Sequence, residues 1–116
     1  MEACSGETVT LPCHSVRRLG VDWRRRDLVS ANFTSYVVAS GFVQEKFRDR
    51  FRLNRTSRHQ QSLVISRLRG DDQGRYVCVE DAGLGPRHEY QLTVRGQTLC
   101  VFTVVIAFII IIIDII

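Results

Sequence analysis

Four cysteines and three histidines are the side chains with the widest chemical scope in this chain. Such a set can supply a thiolate nucleophile beside a base, a metal site, or covalent cross-links. Spacing discriminates among these. Cys4, Cys13, Cys78 and Cys100 form no C-x-x-C pair, and His14, His59 and His88 lie at no metal-ligand spacing from them. No Ser–His–Asp or Cys–His grouping and no cleft-forming carboxylate pair is supported. Asp71-Asp72 reads as a turn and salt-bridge site. Glu80-Asp81 reads as the opening of an exposed loop with solvated acids. A long-range disulfide in an oxidising compartment fits best, and the chain is read as a non-enzyme with no metal and no cofactor. The sequons Asn32-Phe33-Thr34 and Asn54-Arg55-Thr56 agree with that compartment, with Asn32 and Asn54 as N-glycosylation sites.

The elements that hold these residues are strands. With 116 residues there is room for one domain. The net charge is +4, and Lys46 is the only lysine. The arginines are scattered. Their one cluster, Arg24-Arg25-Arg26, follows Trp23 in a strand-like run, so no basic stripe points to nucleic acid. Alternating apolar residues and turn signals recur through "TVTLPC", "GVDWRR", "SYVVAS", "RFRLN", "SLVIS", "GRYVCVE" and "EYQLTV". That is the pattern of an all-β sandwich. In "DDQGRYVC", Tyr76 and Cys78 share one face of a strand while Arg75 and Val77 share the other.

Cys13, Trp23, Leu63, Ile65, Leu68, Asp72, Gly74, Tyr76 and Cys78 together resemble the immunoglobulin V-set pattern over about residues 6–95. The resemblance implies a V-type β-sandwich of two antiparallel sheets with a Cys13–Cys78 bridge between them. It also implies Trp23 packed on that bridge, an Arg50–Asp72 pair, Gly74 at the turn into the following strand, and Tyr76 at a corner. The distance from Trp23 to Leu63 leaves room for the two extra strands of a variable-type domain. "VDWRRRDL" with "GETVTLPC" is similar to the butyrophilin, B7 and myelin-oligodendrocyte-glycoprotein group. "EDAGLGPRH" lacks the bulge of a rearranged antigen receptor. Cys13–Cys78 is expected to be the only bridge within the domain. For Cys4 the open readings are an unpaired thiol, a partner in a missing N-terminal segment, or another chain. For Cys100 a buried free thiol is expected, with acylation or a dimer bridge as alternatives.

Around this domain, residues 1–5 read as an N-terminal remnant and 96–98 as a short linker. Residues 99–116 read as a transmembrane helix cut off at its end, because Leu99 to Ile113 carries no charge. Met1 leads straight into "EACSGETVTL" without an apolar leader, so the expectation is a fragment of a plasma-membrane, single-pass protein with its N-terminal domain outside. The resemblance implies a recognition protein that binds a protein counter-receptor on another cell, in immune regulation or adhesion. The alternatives are a signalling receptor whose tail is missing and a homophilic molecule, possible as a homodimer. In V-set domains the outward side of the G, F, C and C′ strands is the usual contact face. With Trp23, Tyr76, Cys78, Leu92 and Val94 inward, Arg24, Arg75, Val77, Val79, Gln91 and Thr93 face out. Val77 and Val79 then form an apolar centre with a basic rim.

Overall fold

A computed structural model describes residues 1–14, 21–26, 34–55, 60–80 and 86–115. Among them the chain runs β1 (Glu2–Cys4), β2 (Val9–Leu11), β3 (Val21–Arg26), β4 (Thr34–Ala39), β5 (Phe42–Val43), β6 (Phe51–Asn54), β7 (Ser62–Ile65), β8 (Gly74–Glu80), β9 (Arg87–Arg95) and α1 (Gln97–Ile115). Six strands form one sheet in the order β1-β9-β8-β3-β4-β5. Three form the other, in the order β2-β7-β6. All pairings are antiparallel except β1 with β9, which is parallel.

The inward faces meet in one core. Trp23, Tyr76, Leu11, Leu63, Ile65, Leu68 and Leu92 are fully buried there. All but Leu68, which follows β7 outside any strand, come from apolar positions of a period-2 pattern, and burying one such side chain is worth about 1.5–3 kcal/mol. Trp23 lies directly opposite Cys78 in the β3–β8 register, and its indole N–H donates to the Gln61 carbonyl at 3.2 Å. Cys13 and Cys78 are joined across the sheets. Their 65-residue separation makes the bridge worth roughly 4 kcal/mol in the chain-entropy model.

One end of the sandwich is closed by an ion pair. Arg50 grips Asp72 through two parallel bonds, 2.6 and 2.8 Å. Asp72 also accepts from the Arg69 N–H at 2.8 Å, and the Tyr76 hydroxyl donates to the Asp72 carbonyl at 2.5 Å. Gly74 is required by close approach: a Cβ there would stand 2.7 Å from the Arg26 carbonyl oxygen.

Several expectations change. Residues 1–5 are no loose remnant, because β1 completes the edge of the larger sheet beside β9. Three residues are too few to carry a periodic signal, so the strand is set by its neighbour. The expected 96–98 linker is largely helix, since α1 begins at Gln97 and the Cys100 N–H bonds the Gly96 carbonyl. Cys4 and Cys100, both outside residues 6–95 and read above as unpaired or bonded elsewhere, are bonded to each other, and no cysteine is free. The parallel β1–β9 pairing brings Cys4 beside Arg95, within reach of the first helical turn. Neither sulfur remains for acylation or a second chain.

Among the described residues no helix is long and apolar enough to cross a membrane. The uncharged run Leu99 to Ile113 covers roughly 22 Å of helix at about 1.5 Å per residue, against a hydrocarbon core of about 30 Å.

Candidate binding face

The outward side of β3, β8 and β9 is built in cross-strand rows. One row is Arg24, Val77 and Glu89. The next is Arg26, Arg75 and Gln91. A third is Asp22, Val79 and Arg87. Alternation sends these side chains away from the core that Trp23, Tyr76, Cys78 and Leu92 fill. The sheet continues through β4, whose pairing with β3 shifts register between Trp23 and Arg24. That irregularity lets Val37 and Val38 both be buried and leaves Tyr36 exposed beside Arg24. The Arg24 guanidinium lies 5.3 Å from the centre of the Tyr36 ring, a distance at which the cation is attracted to the ring face. Beyond it, Ser40 and Gly41 take positive φ and turn the chain from β4 into β5. The Ser40 N–H donates to Asp22 at 2.7 Å, which ties that turn to β3.

Arg24, Arg25, Arg26, Arg75, Val77, Arg87 and Glu89 surround a shallow pocket of about 120 Å³. Among the described lining residues five are arginines and one, Glu89, is an acid. Arg25 reaches the far edge, where it donates to the Asp71 carbonyl and lies 5.9 Å from the Tyr76 ring centre. Arg24 Nε is buried and has no hydrogen-bond partner among the described residues.

Three expected face residues, Arg24, Arg75 and Val77, come together here. Gln91 is exposed beside Arg75 but outside the pocket, and Thr93 is half-buried opposite Glu2 of β1. Val79 is only 5% exposed: it lies in the outward row, outside the core, but is covered by its surroundings and so offers no apolar centre. The face is accordingly smaller and more basic than expected. Arg26, Arg87 and Glu89 were not foreseen. Their signal was the period-2 pattern itself, continued to the true ends of β3 and β9.

The opposite end of β8 holds a second departure. Glu80 is 1% exposed and is no solvated loop acid. It accepts from the His14 N–H at 3.1 Å and faces His88 Nε2 at 3.2 Å. Cys13 Sγ lies near both, a grouping with metal-ligand character. The disulfide to Cys78 occupies that sulfur, so only two donors remain. Asp81 lies outside the described residues.

The Arg50–Asp72 pair shapes both groups' titration. Burial pushes the Asp72 carboxyl up. The Arg50 hydrogen bond, the Arg69 N–H and the guanidinium charges outweigh it and hold the carboxyl below its usual range. Arg50 is raised in turn by the Asp72 hydrogen bond, against its own burial. Tyr90 is pushed up by burial, and its hydroxyl donates to the Pro12 carbonyl at 2.6 Å. Of the two sequons, Asn32 lies outside the described residues. Asn54 ends β6 half-buried, in the sheet opposite the binding face.

Solved structures with this architecture are numerous. The extracellular domain of the voltage-gated sodium channel beta4 subunit superposes with a TM-score of 0.63 at 22% identity, covering 84% of this chain and 90% of that one. Novel immune-type receptor 11 from Ictalurus punctatus gives 0.60 at 24%, covering 83% and 85%. The first immunoglobulin domain of the mouse polymeric immunoglobulin receptor gives 0.61 at 23%, covering 82% and 89%. At these identities the likeness establishes the fold. No curated protein matches the sequence. The immunoglobulin V-set domain model matches residues 1–95, and the chain belongs to that family.

Proposed function

We propose that this chain is a membrane-anchored recognition protein whose outer β3–β8–β9 face binds a protein on another cell, in immune regulation or adhesion. The observation that carries the assignment is the arginine-walled pocket on the sheet face of a V-set domain. A half-exposed valine ringed by guanidinium groups offers an apolar contact inside a polar rim, the anatomy of an interface. V-set domains are typically recognition modules without enzymatic activity, which agrees with the absence of a catalytic grouping in the sequence.

Anchoring falls to α1. From Val105 to Ile113 its described side chains are apolar and largely exposed, Phe108 and Ile113 at 64% each. A helix apolar on every side requires a protein or lipid environment. Glycans at Asn32 and Asn54 belong to the same extracellular reading. Asn54 stands on the far sheet, where a glycan leaves the arginine face open. A second reading, self-association, draws on the sodium channel beta4 domain, which forms parallel homodimers and has a role in cell–cell adhesion.

The test uses the full chain, made with a leader peptide in secretory cells and presented on fluorescent liposomes. These liposomes should stain a subset of a cell-line panel, and Val77→Asp or Arg75→Glu should abolish staining while both disulfides stay intact. Staining that survives both changes would remove binding from this face. Clustering of the liposomes with each other, lost in the same variants, would select the homophilic reading.

A further inference from the structure

The charge on the binding face is unbalanced within the molecule. Arg26 and Arg75 stand directly opposite each other on neighbouring strands. Like charges in that position repel. Among the described residues neither forms a salt bridge, whereas Arg50, Arg67 and Arg95 each have a carboxylate partner. Among the described residues the only acid lining the pocket is Glu89. Arg24 is held beside Tyr36 with its buried Nε unmatched. Guanidinium is a planar fork that matches a carboxylate through two parallel bonds.

We propose that the pocket between Arg24, Arg26, Arg75 and Arg87 receives the carboxylate of an aspartate or glutamate on an acidic segment of the partner protein. The proposal rests on the binding role assigned above to this face and adds the chemistry of what binds. A volume of about 120 Å³ suits one short acidic side chain. Val77 at the centre gives its methylene groups an apolar contact. The surroundings disfavour an extended polyanion, because Glu89 in the pocket wall and Asp22 in the neighbouring row place negative charge on its path. A sulfated glycan would need an unbroken basic stripe, which this compact cluster is not.

The full chain in nanodiscs is titrated with a labelled twelve-residue peptide rich in glutamate, with its glutamine counterpart, and with a heparin-derived oligosaccharide. The glutamate peptide should bind, the glutamine peptide should not, and affinity should fall as salt rises. Arg24→Gln and Arg75→Gln should each weaken the glutamate peptide at least about tenfold, the scale of one charged hydrogen-bonded contact. Arg52→Gln, an equal charge change on an exposed residue of the opposite sheet, should leave it unchanged. Equal loss in Arg52→Gln would reduce the effect to bulk charge and overturn the site. Tighter binding of the oligosaccharide, or no binding of the glutamate peptide, would overturn the carboxylate assignment. Cell staining that is lost in Val77→Asp but kept in Arg24→Gln would keep the face and discard the carboxylate. Staining kept in both would discard the face itself.

Discussion

Arginine does opposite work at two places on this sandwich. At the closed end, Arg50 meets Asp72 through two bonds, and the carboxylate is 1% exposed. On the outer face, Arg24, Arg26, Arg75 and Arg87 surround a pocket with, among the described residues, a single acid. A guanidinium whose carboxylate lies in its own chain is part of the scaffold. One whose carboxylate is missing is available for a partner. The residue type alone does not separate the two cases; the register of the strands does.

The largest expected effect falls on the closed end. Arg50→Ala should lower unfolding free energy by about 3 kcal/mol, because it strands a buried carboxylate. Arg75→Ala should shift it by no more than about 0.5 kcal/mol, as for an ordinary surface change. Urea denaturation of both variants measures this, and equal costs would erase the distinction between the regions.

A smaller effect is expected from acid. The folded Asp72 carboxyl sits below its ordinary range, so the unfolded chain takes up the proton first as pH falls. The pair's contribution is then complete above the ordinary carboxylate value of about 4 and drains away below it. The stability gap between the native chain and Asp72→Asn should therefore narrow from about pH 6 to about pH 3. A gap independent of pH would mean that the carboxylate charge is not what Arg50 holds.

The smallest effect has the reverse sign. Arg26→Gln removes one of two opposed cations and should raise stability by a few tenths of a kcal/mol, roughly the size of a cross-strand charge term. Its thermal midpoint in low salt should exceed that of the native chain, and the difference should fade as salt is added. A lowered midpoint would mean that Arg26 is already balanced within the fold.

Much of the scaffold was legible because its signals are local and periodic. Val21, Trp23 and Leu92 alternate with polar neighbours, Tyr76 and Cys78 keep the same two-residue spacing, and all five are buried. The proposed binding face was half legible. Its direction followed from the same alternation, so Arg24, Arg75 and Val77 were placed. Its extent depended on where β3 and β9 end, and strand ends carry the weakest signal. Arg26 and Arg87 were missed for that reason; Glu89, the first residue of "EYQLTV" and on the same side as Gln91, was within reach of the alternation and was passed over. Val79 shows the limit of alternation: it sits in the outward row yet is covered by its surroundings. Glu80 was misjudged because its partners, His14 and His88, are distant in sequence. Cys4 and Cys100 were left apart because only the parallel β1–β9 pairing reveals that they meet.

That last bond changes what a protease can accomplish. Cys4 and Cys100 close the chain into a covalent ring that contains the whole sandwich. A peptide bond cut anywhere between them, including one beside Gly96 where the sandwich meets the helix, opens the ring without freeing a piece. The severed head would remain fastened to α1 through sulfur. If α1 anchors the chain as proposed, a single cut inside the ring does not release the head; release takes a second cut, cleavage beyond Cys100, or a reductant acting together with a protease. On a reducing gel a nicked molecule runs as two bands. Without reductant it runs as one.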